Sequence, residues 1–222
     1  MTPVTETGYR HPDLSIDQQL ALRTAAANLG QEFTDVFGSE TIERFLHSSY
    51  HQFAGRAAVP NFLPLLAERF ARQRLRALAK VEGLSHDSTP TVLFLCTHNA
   101  GRSQMAMGFF QRYAGDDAIA WSGGSEPGEQ VNPSAVAAMA ERGIDISEEY
   151  PKPWTDEVVR AADVVITMGC GDACPVVPGK RYEEWELTDP AGLDVAAVRP
   201  VRDEIEHRVL TLLGQLGVSA RS

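Results

Sequence analysis

TVLFLCTHNAGRS, residues 91–103, is the stretch on which the reading of the fold turns. Its apolar β-forming run, Val92, Leu93, Phe94 and Leu95, ends at Cys96, and Gln104 to Tyr113 has the pattern of a helix. A strand, a tight loop and a helix place the loop amides at a helix N-terminus, where unpaired N–H groups and the helix dipole favour an oxyanion. The same environment favours a cysteine as its nucleophilic thiolate. Arg102 adds a permanently charged planar fork able to hold two oxygens of an anion, and Ser103 can hydrogen-bond the sulfur. Asn99 and Gly101 suit a loop that must curl its amides inward. The competing reading is a buried structural cysteine with an arginine nearby by chance. The strand before and helix after favour the chemical one: Thr97, His98, Asn99, Ala100, Gly101, Arg102 and Ser103 bind a tetrahedral oxyanion over Cys96.

The rest of the chain bounds what that loop can serve. Its 222 residues suffice for one large domain or a standard domain with a small companion. A net charge of −10 leaves no lysine and arginine excess for nucleic acid or acidic membranes, so neither is expected as a partner. The start, MTPVTETGYRHPD, shows neither a signal peptide nor a span, and a cytoplasmic location is expected. In such a reducing compartment the three cysteines, Cys96, Cys170 and Cys174, read as reactive thiols rather than a disulfide framework.

Upstream of the loop the pattern is helical. After a polar start over 1–14, Ser15 with Gln18 opens a helix carrying Ile16, Leu20 and Leu29 that Gly30 can end. A second helix begins near Ser39 and stops before Gly55, and a third spans about Phe62 to Val81. The third is expected to turn Leu63, Leu66, Phe70 and Leu78 inward and Arg72, Arg74 and Arg76 largely outward. These helices form a small all-α domain over 1–86, and a unit this small is expected to cover its surface by dimerisation or by docking on its neighbour. GLSHDSTP, 83–90, reads as the linker.

Downstream, over 91–222, further strand candidates are Ala118–Ser122, Asp163–Met168 and Tyr182–Glu186. Between and after them lie helices that Asn132-Pro133 and Thr155 or Asp156 open, and a last one over Val195–Leu216. Strands alternating with helices imply an α/β fold with a doubly wound four-stranded parallel sheet, Cys96 lying at the carboxyl edge where such sheets bind ligands.

The DVVITM strand delivers Cys170 to that same edge, and Cys174 follows at a spacing that permits a disulfide if the segment is helical, with α-carbons about 6 Å apart. Gly and Asp around Cys170 and Pro175 after Cys174 describe an exposed loop, which favours a redox role. No cysteine or histidine pair has structural-zinc spacing, so no metal is expected. Asp189, in LTDPAG at 187–192, is a loop carboxylate that could protonate a leaving oxygen, though alone Asp-Pro reads as a turn.

CTHNAGRSQMA at 96–106 together with Asp189-Pro190 resembles the low-molecular-weight protein tyrosine phosphatase superfamily, over Thr91 to the end of the chain. TMGCGDACP and Ala191-Gly192 are similar to its arsenate reductases, some of which carry a helical extension like the one here. The resemblance implies arsenate as substrate, Cys96 as nucleophile, Arg102 as anion ligand and Asp189 as general acid. It implies Cys170 and Cys174 as resolving thiols, no bound cofactor, and thioredoxin as external reductant. Met107 stands where the relay reductases have glutamate, which tells against the potassium site of that subgroup. The alternatives are a reductase using a small thiol such as mycothiol, a tyrosine phosphatase running a phosphocysteine, and an oxyanion or redox sensor. A homodimer would form through the helical domain.

Overall fold

A computed structural model of the chain describes residues 14–54, 62–85, 87–171, 174 and 176–221. Residues 1–13 of the polar start, Gly55, His86, Asp172, Ala173 and Pro175 lie outside the described residues, and so does part of the expected 1–86 domain. The element order is α1 (Ile16–Glu32), α2 (Ser39–Ala54), α3 (Leu63–Val81), β1 (Thr91–Cys96), α4 (Arg102–Ala114), β2 (Ile119–Gly124), α5 (Pro133–Ala140), α6 (Asp156–Ala161), β3 (Val164–Met168), β4 (Arg181–Glu184) and α7 (Val195–Gln215).

The four strands form one parallel sheet in the order β2-β1-β3-β4. β1 is central and buried along its whole length, because its two sets of side chains enter two different cores. Phe94 and Cys96 face α4, α5 and α7, whereas Leu93 and Leu95 face α6 and Ala77 of α3. Helices thus cover both faces of the sheet. Its register sets Cys96 beside Gly124 and Met168, so the carboxyl ends of β1, β2 and β3 open at one edge.

The helical unit has its own core, Leu22, Leu29, Ile42, Leu46, Phe70 and Leu75 among others. Ser15 caps α1 in a reciprocal pair with Gln18, as its spacing implies. Gly30 does not end α1, which continues to Glu32. The Phe33 N–H bonds the Leu29 carbonyl and the Phe33 ring is buried, so tertiary packing outweighs glycine's helix cost of about 1 kcal/mol.

The expectation that Arg72, Arg74 and Arg76 point largely outward is corrected at Arg74. Its side chain is 13% exposed and pairs with Glu157 of α6 at 2.5 Å. It also bonds Ser48 and lies over Phe45 and Phe70. Arg72 is only half-buried, paired with Glu32 and Glu68, and Arg76 is exposed. The cause is that α3 has two buried faces, one in the helical unit and one on the sheet layer, where docking supplies an ion partner for Arg74. Lys80 extends this seam by bonding Asp163 and Thr91, and Asp163 also accepts the Thr91 N–H. Of the two ways expected to cover the helical surface, docking on the neighbouring unit is present.

Candidate active site

The loop between β1 and α4 is shaped from outside. The carbonyls of Thr97, His98 and Ala100 accept the N–H groups of Glu126 at 2.8 Å, Gly128 at 2.9 Å and Asn132 at 2.8 Å, all from the segment after β2. In a trans peptide the N–H points opposite to the C=O, so a carbonyl held outward turns the next N–H toward the centre of the loop. One of these, the Asn99 N–H, lies 3.2 Å from Cys96 Sγ. Asn99 takes the left-handed backbone at φ +46°, which asparagine tolerates. Glycines permit the close approaches: a Cβ on Gly124 would lie 2.7 Å from the Thr97 carbonyl oxygen.

Cys96 is a free, buried thiol with Ser103 Oγ at 3.1 Å. Ser103 Oγ accepts from Asn99 Nδ2 at 2.8 Å, which leaves its own proton for the sulfur. A thiolate here has two donors, Asn99 N–H and Ser103 O–H. Asn99 is fixed in turn: its Oδ1 accepts the Lys152 N–H at 2.9 Å and the Gln104 side chain at 3.2 Å. Gln104 also donates to the Tyr150 carbonyl at 3.1 Å.

Arg102 opens α4 with its side chain 8% exposed, and Nη2 meets Asp189 Oδ2 at 2.7 Å. Nη1 reaches the Leu187 carbonyl at 3.4 Å. Two glycines make room for this. A Cβ on Gly169, φ +71°, would stand 2.9 Å from Arg102 Nη1, and one on Gly101 would stand 2.5 Å from Pro190 Cγ. Gly101 is therefore required for clearance under the Asp-Pro turn rather than for a positive φ. Asn132 ties the parts together, capping α5 through Oδ1 and donating from Nδ2 to the Pro190 carbonyl at 3.0 Å.

Cys170 and Cys174 are joined as a disulfide with α-carbons 5.7 Å apart. Cys170 lies two residues beyond β3, and Thr97 Oγ1 donates to the intervening Gly169 carbonyl at 3.1 Å. The expected exposed loop is corrected at this residue: Cys170 is 8% exposed and packs in the core on the α6 side, while Cys96 faces the α4 side. Alternation along β3 would keep residue 170 on the Cys96 side with Ile166 and Met168, but the strand ends at Met168 and Gly169 turns the chain at φ +71°, which carries the Cys170 side chain to the opposite core.

Cys96, Arg102, Ser103 and Asp189 are thus brought into one cluster, with Thr97, Asn99, Ala100 and Gly101 forming its floor. His98 is exposed on the loop. Asn132, Gln104 and Lys152 were not legible as site residues. Asn132 carried only a helix-cap signal, and the other two act through contacts formed by the fold. Among the described residues no cluster of three or more His, Cys, Asp or Glu side chains could hold a metal ion.

Comparisons follow the same division of the chain. Residues 91–221 match the family described as low molecular weight phosphotyrosine protein phosphatase, and 22–79 match the protein-tyrosine-phosphatase-like N-terminal domain. An arsenate reductase of Halalkalibacterium halodurans is 45% identical, covering 54% of this chain and 92% of that protein. One of Bacillus licheniformis is 42% identical over 55% of this chain and 94% of its own. A solved structure of a Corynebacterium glutamicum thioredoxin-dependent arsenate reductase superposes with TM-score 0.80 at 42% identity. It covers 90% of this chain and 98% of its own, helical unit included.

Proposed function

The chain belongs to the low-molecular-weight phosphotyrosine protein phosphatase family, and from that premise we propose that it reduces arsenate to arsenite by a thiol relay, in arsenic detoxification. The observation that carries this reading over a phosphatase is the Cys170–Cys174 pair at the same sheet edge as the Cys96 loop. Arsenate sits on the inward amides and the Arg102 fork. The Cys96 thiolate attacks arsenic, an As–S bond forms and an As–O bond breaks, and Asp189 protonates the oxygen so that it leaves as water. Cys170 as thiolate then attacks Cys96 Sγ. The S–As electron pair stays on arsenic, which leaves as As(III), while a Cys96–Cys170 disulfide forms. Cys174 attacks Cys170, returning Cys96 as thiolate and leaving the Cys170–Cys174 disulfide. A dithiol of the thioredoxin type supplies the two electrons that reopen it.

The test is NADPH oxidation with arsenate, thioredoxin and thioredoxin reductase. Consumption that requires arsenate supports the reading. No consumption with thioredoxin, but turnover with mycothiol and its reductase, would replace the reductant. Hydrolysis of phosphotyrosine without arsenate turnover would replace the function.

The Asp-Pro turn gives a separable prediction. Asn132→Asp keeps the cap on α5 but loses the donor to Pro190. One such bond is worth about 1 kcal/mol, so kcat/KM for arsenate should fall roughly 5-fold while the melting temperature drops by only about 2–4 °C. Asn132→Ala should lose both.

Among the described residues no helix is long and apolar enough to cross a membrane, and the proposed location is the cytoplasm, where thioredoxin is kept reduced. The proposed dimer uses the helical unit, where Ile16, Leu20, Phe62 and Leu65 are exposed. A monomer by light scattering would remove that part.

A further inference from the structure

Tyr150 lies between α5 and α6 in sequence, yet it packs in the core of the helical unit. Its ring meets Phe53 of α2 edge-on at 5.6 Å and lies under the Arg69 guanidinium of α3 at 4.9 Å. Arg69 also grips the chain just before it, donating to the Glu148 carbonyl at 2.9 Å and standing 3.6 Å from the Glu149 carboxylate.

The same short segment holds the anion loop from its other side. The Tyr150 carbonyl accepts from Gln104, and two residues on, the Lys152 N–H donates to Asn99 Oδ1. Asn99 in turn bonds both Cys96 Sγ and Ser103 Oγ. An unbroken line of contacts therefore runs from the helical core to the nucleophile.

This segment does not dock freely. The Lys152 side chain is 3% exposed; its ammonium has Ser122 Oγ at 3.2 Å and the Tyr150 ring at 4.7 Å, and Glu149 no nearer than 3.9 Å. Burial lowers that ammonium to about 8, because desolvation penalises the charged form. A strand of chain that buries a weakly paired charge is costly to seat, and an outside hold is needed to keep it seated.

We propose that the helical unit is the device that positions the anion loop: Phe53 and Arg69 hold Tyr150, and the segment from Tyr150 to Lys152 thereby holds Asn99 and Gln104 in the geometry that seats a tetrahedral oxyanion over Cys96. Phe53, Arg69 and Tyr150 are positioning residues. The inference rests on the loop binding an oxyanion and is independent of which reaction follows.

The test uses the full chain with its Cys170–Cys174 disulfide intact, where Cys96 is the one remaining thiol. Alkylation of Cys96 by iodoacetamide is followed at fixed pH with rising inorganic phosphate. Arg69→Ala and Phe53→Leu should each raise the half-protecting phosphate concentration roughly 5-fold. Arg69→Lys, which keeps a cation over the ring, should restore most of it. Leu22→Ala loosens the same core from α1, which supplies neither contact, and should lower the melting temperature without moving phosphate protection. The proposal is overturned if Arg69→Ala and Phe53→Leu leave protection unchanged, or if Leu22→Ala moves it as far as they do. Phosphate that fails to protect the unmodified chain would remove the oxyanion reading of the loop itself, and this inference with it.

Discussion

Cys96→Ser should abolish arsenate turnover, a loss of about 10⁴-fold or more, while the fold and phosphate binding survive. The sulfur sits in a buried site with Ser103 Oγ at 3.1 Å and the Asn99 N–H at 3.2 Å. A serine hydroxyl is nearly the same size and can accept both bonds, so the melting temperature should move by only a degree or two. What it cannot supply is the thiolate and, more decisively, the redox step. Even if a serine oxygen were to attack arsenic, Cys170 could not then draw an S–S bond from it, and As(V) would have no route to As(III). The readout separates these roles. With thioredoxin, its reductase and NADPH, the variant should still have its Cys170–Cys174 disulfide reduced, giving one stoichiometric burst of NADPH consumption. No arsenate-dependent phase should follow. A sustained arsenate-dependent phase in Cys96→Ser would place the nucleophile elsewhere.

How the site assembles explains what the sequence could and could not reveal. TVLFLC followed by a Gly-containing loop and a helix was legible because each signal is local: apolar β-formers, a residue tolerant of left-handed backbone, a helix start. Asp189 was legible through its proline and its order along the chain. The inward turn of the loop amides was legible from Asn99 and Gly101, but not what enforces it, because those groups are backbone N–H donors of Glu126 and Gly128, which carry no side-chain signature. Gly101 reads as a residue chosen for backbone freedom and is needed for clearance as well, a requirement that shows only with Pro190 in place. Arg74 and Cys170 were misjudged for a common reason. Periodicity and composition describe an element against water, whereas α3 has a second protein layer against it and Cys170 turns into the core on the α6 side.

Cys170→Ser and Cys174→Ser should both stop multiple turnover with thioredoxin, yet leave different products. Cys174→Ser retains the attack of Cys170 on Cys96, so it should release a single equivalent of arsenite and stop as a Cys96–Cys170 disulfide. Cys170→Ser should release none, since no thiol then reaches the arsenic-bearing sulfur, and steady-state rates in both should fall by about 100-fold or more. The geometry makes this a demanding test. In the disulfide form Cys170 faces the α6 core and Cys96 the α4 core, so the second step requires Cys170 to turn through the sheet edge. The means are on either side of it: Gly169 at φ +71° and Gly171 at φ +52° are free to change sign at little steric cost. Reduction by thioredoxin also releases Cys170 from Cys174, and with it the link that fixes the side chain in its core. Arsenite release in the unmodified chain should therefore track reduction of this disulfide, measurable by quench and mass spectrometry of its thiol state, whereas Cys174→Ser should accumulate the Cys96–Cys170 form. Full multiple turnover in Cys174→Ser with thioredoxin alone would sink the relay and leave Cys170 to exchange directly with the external reductant.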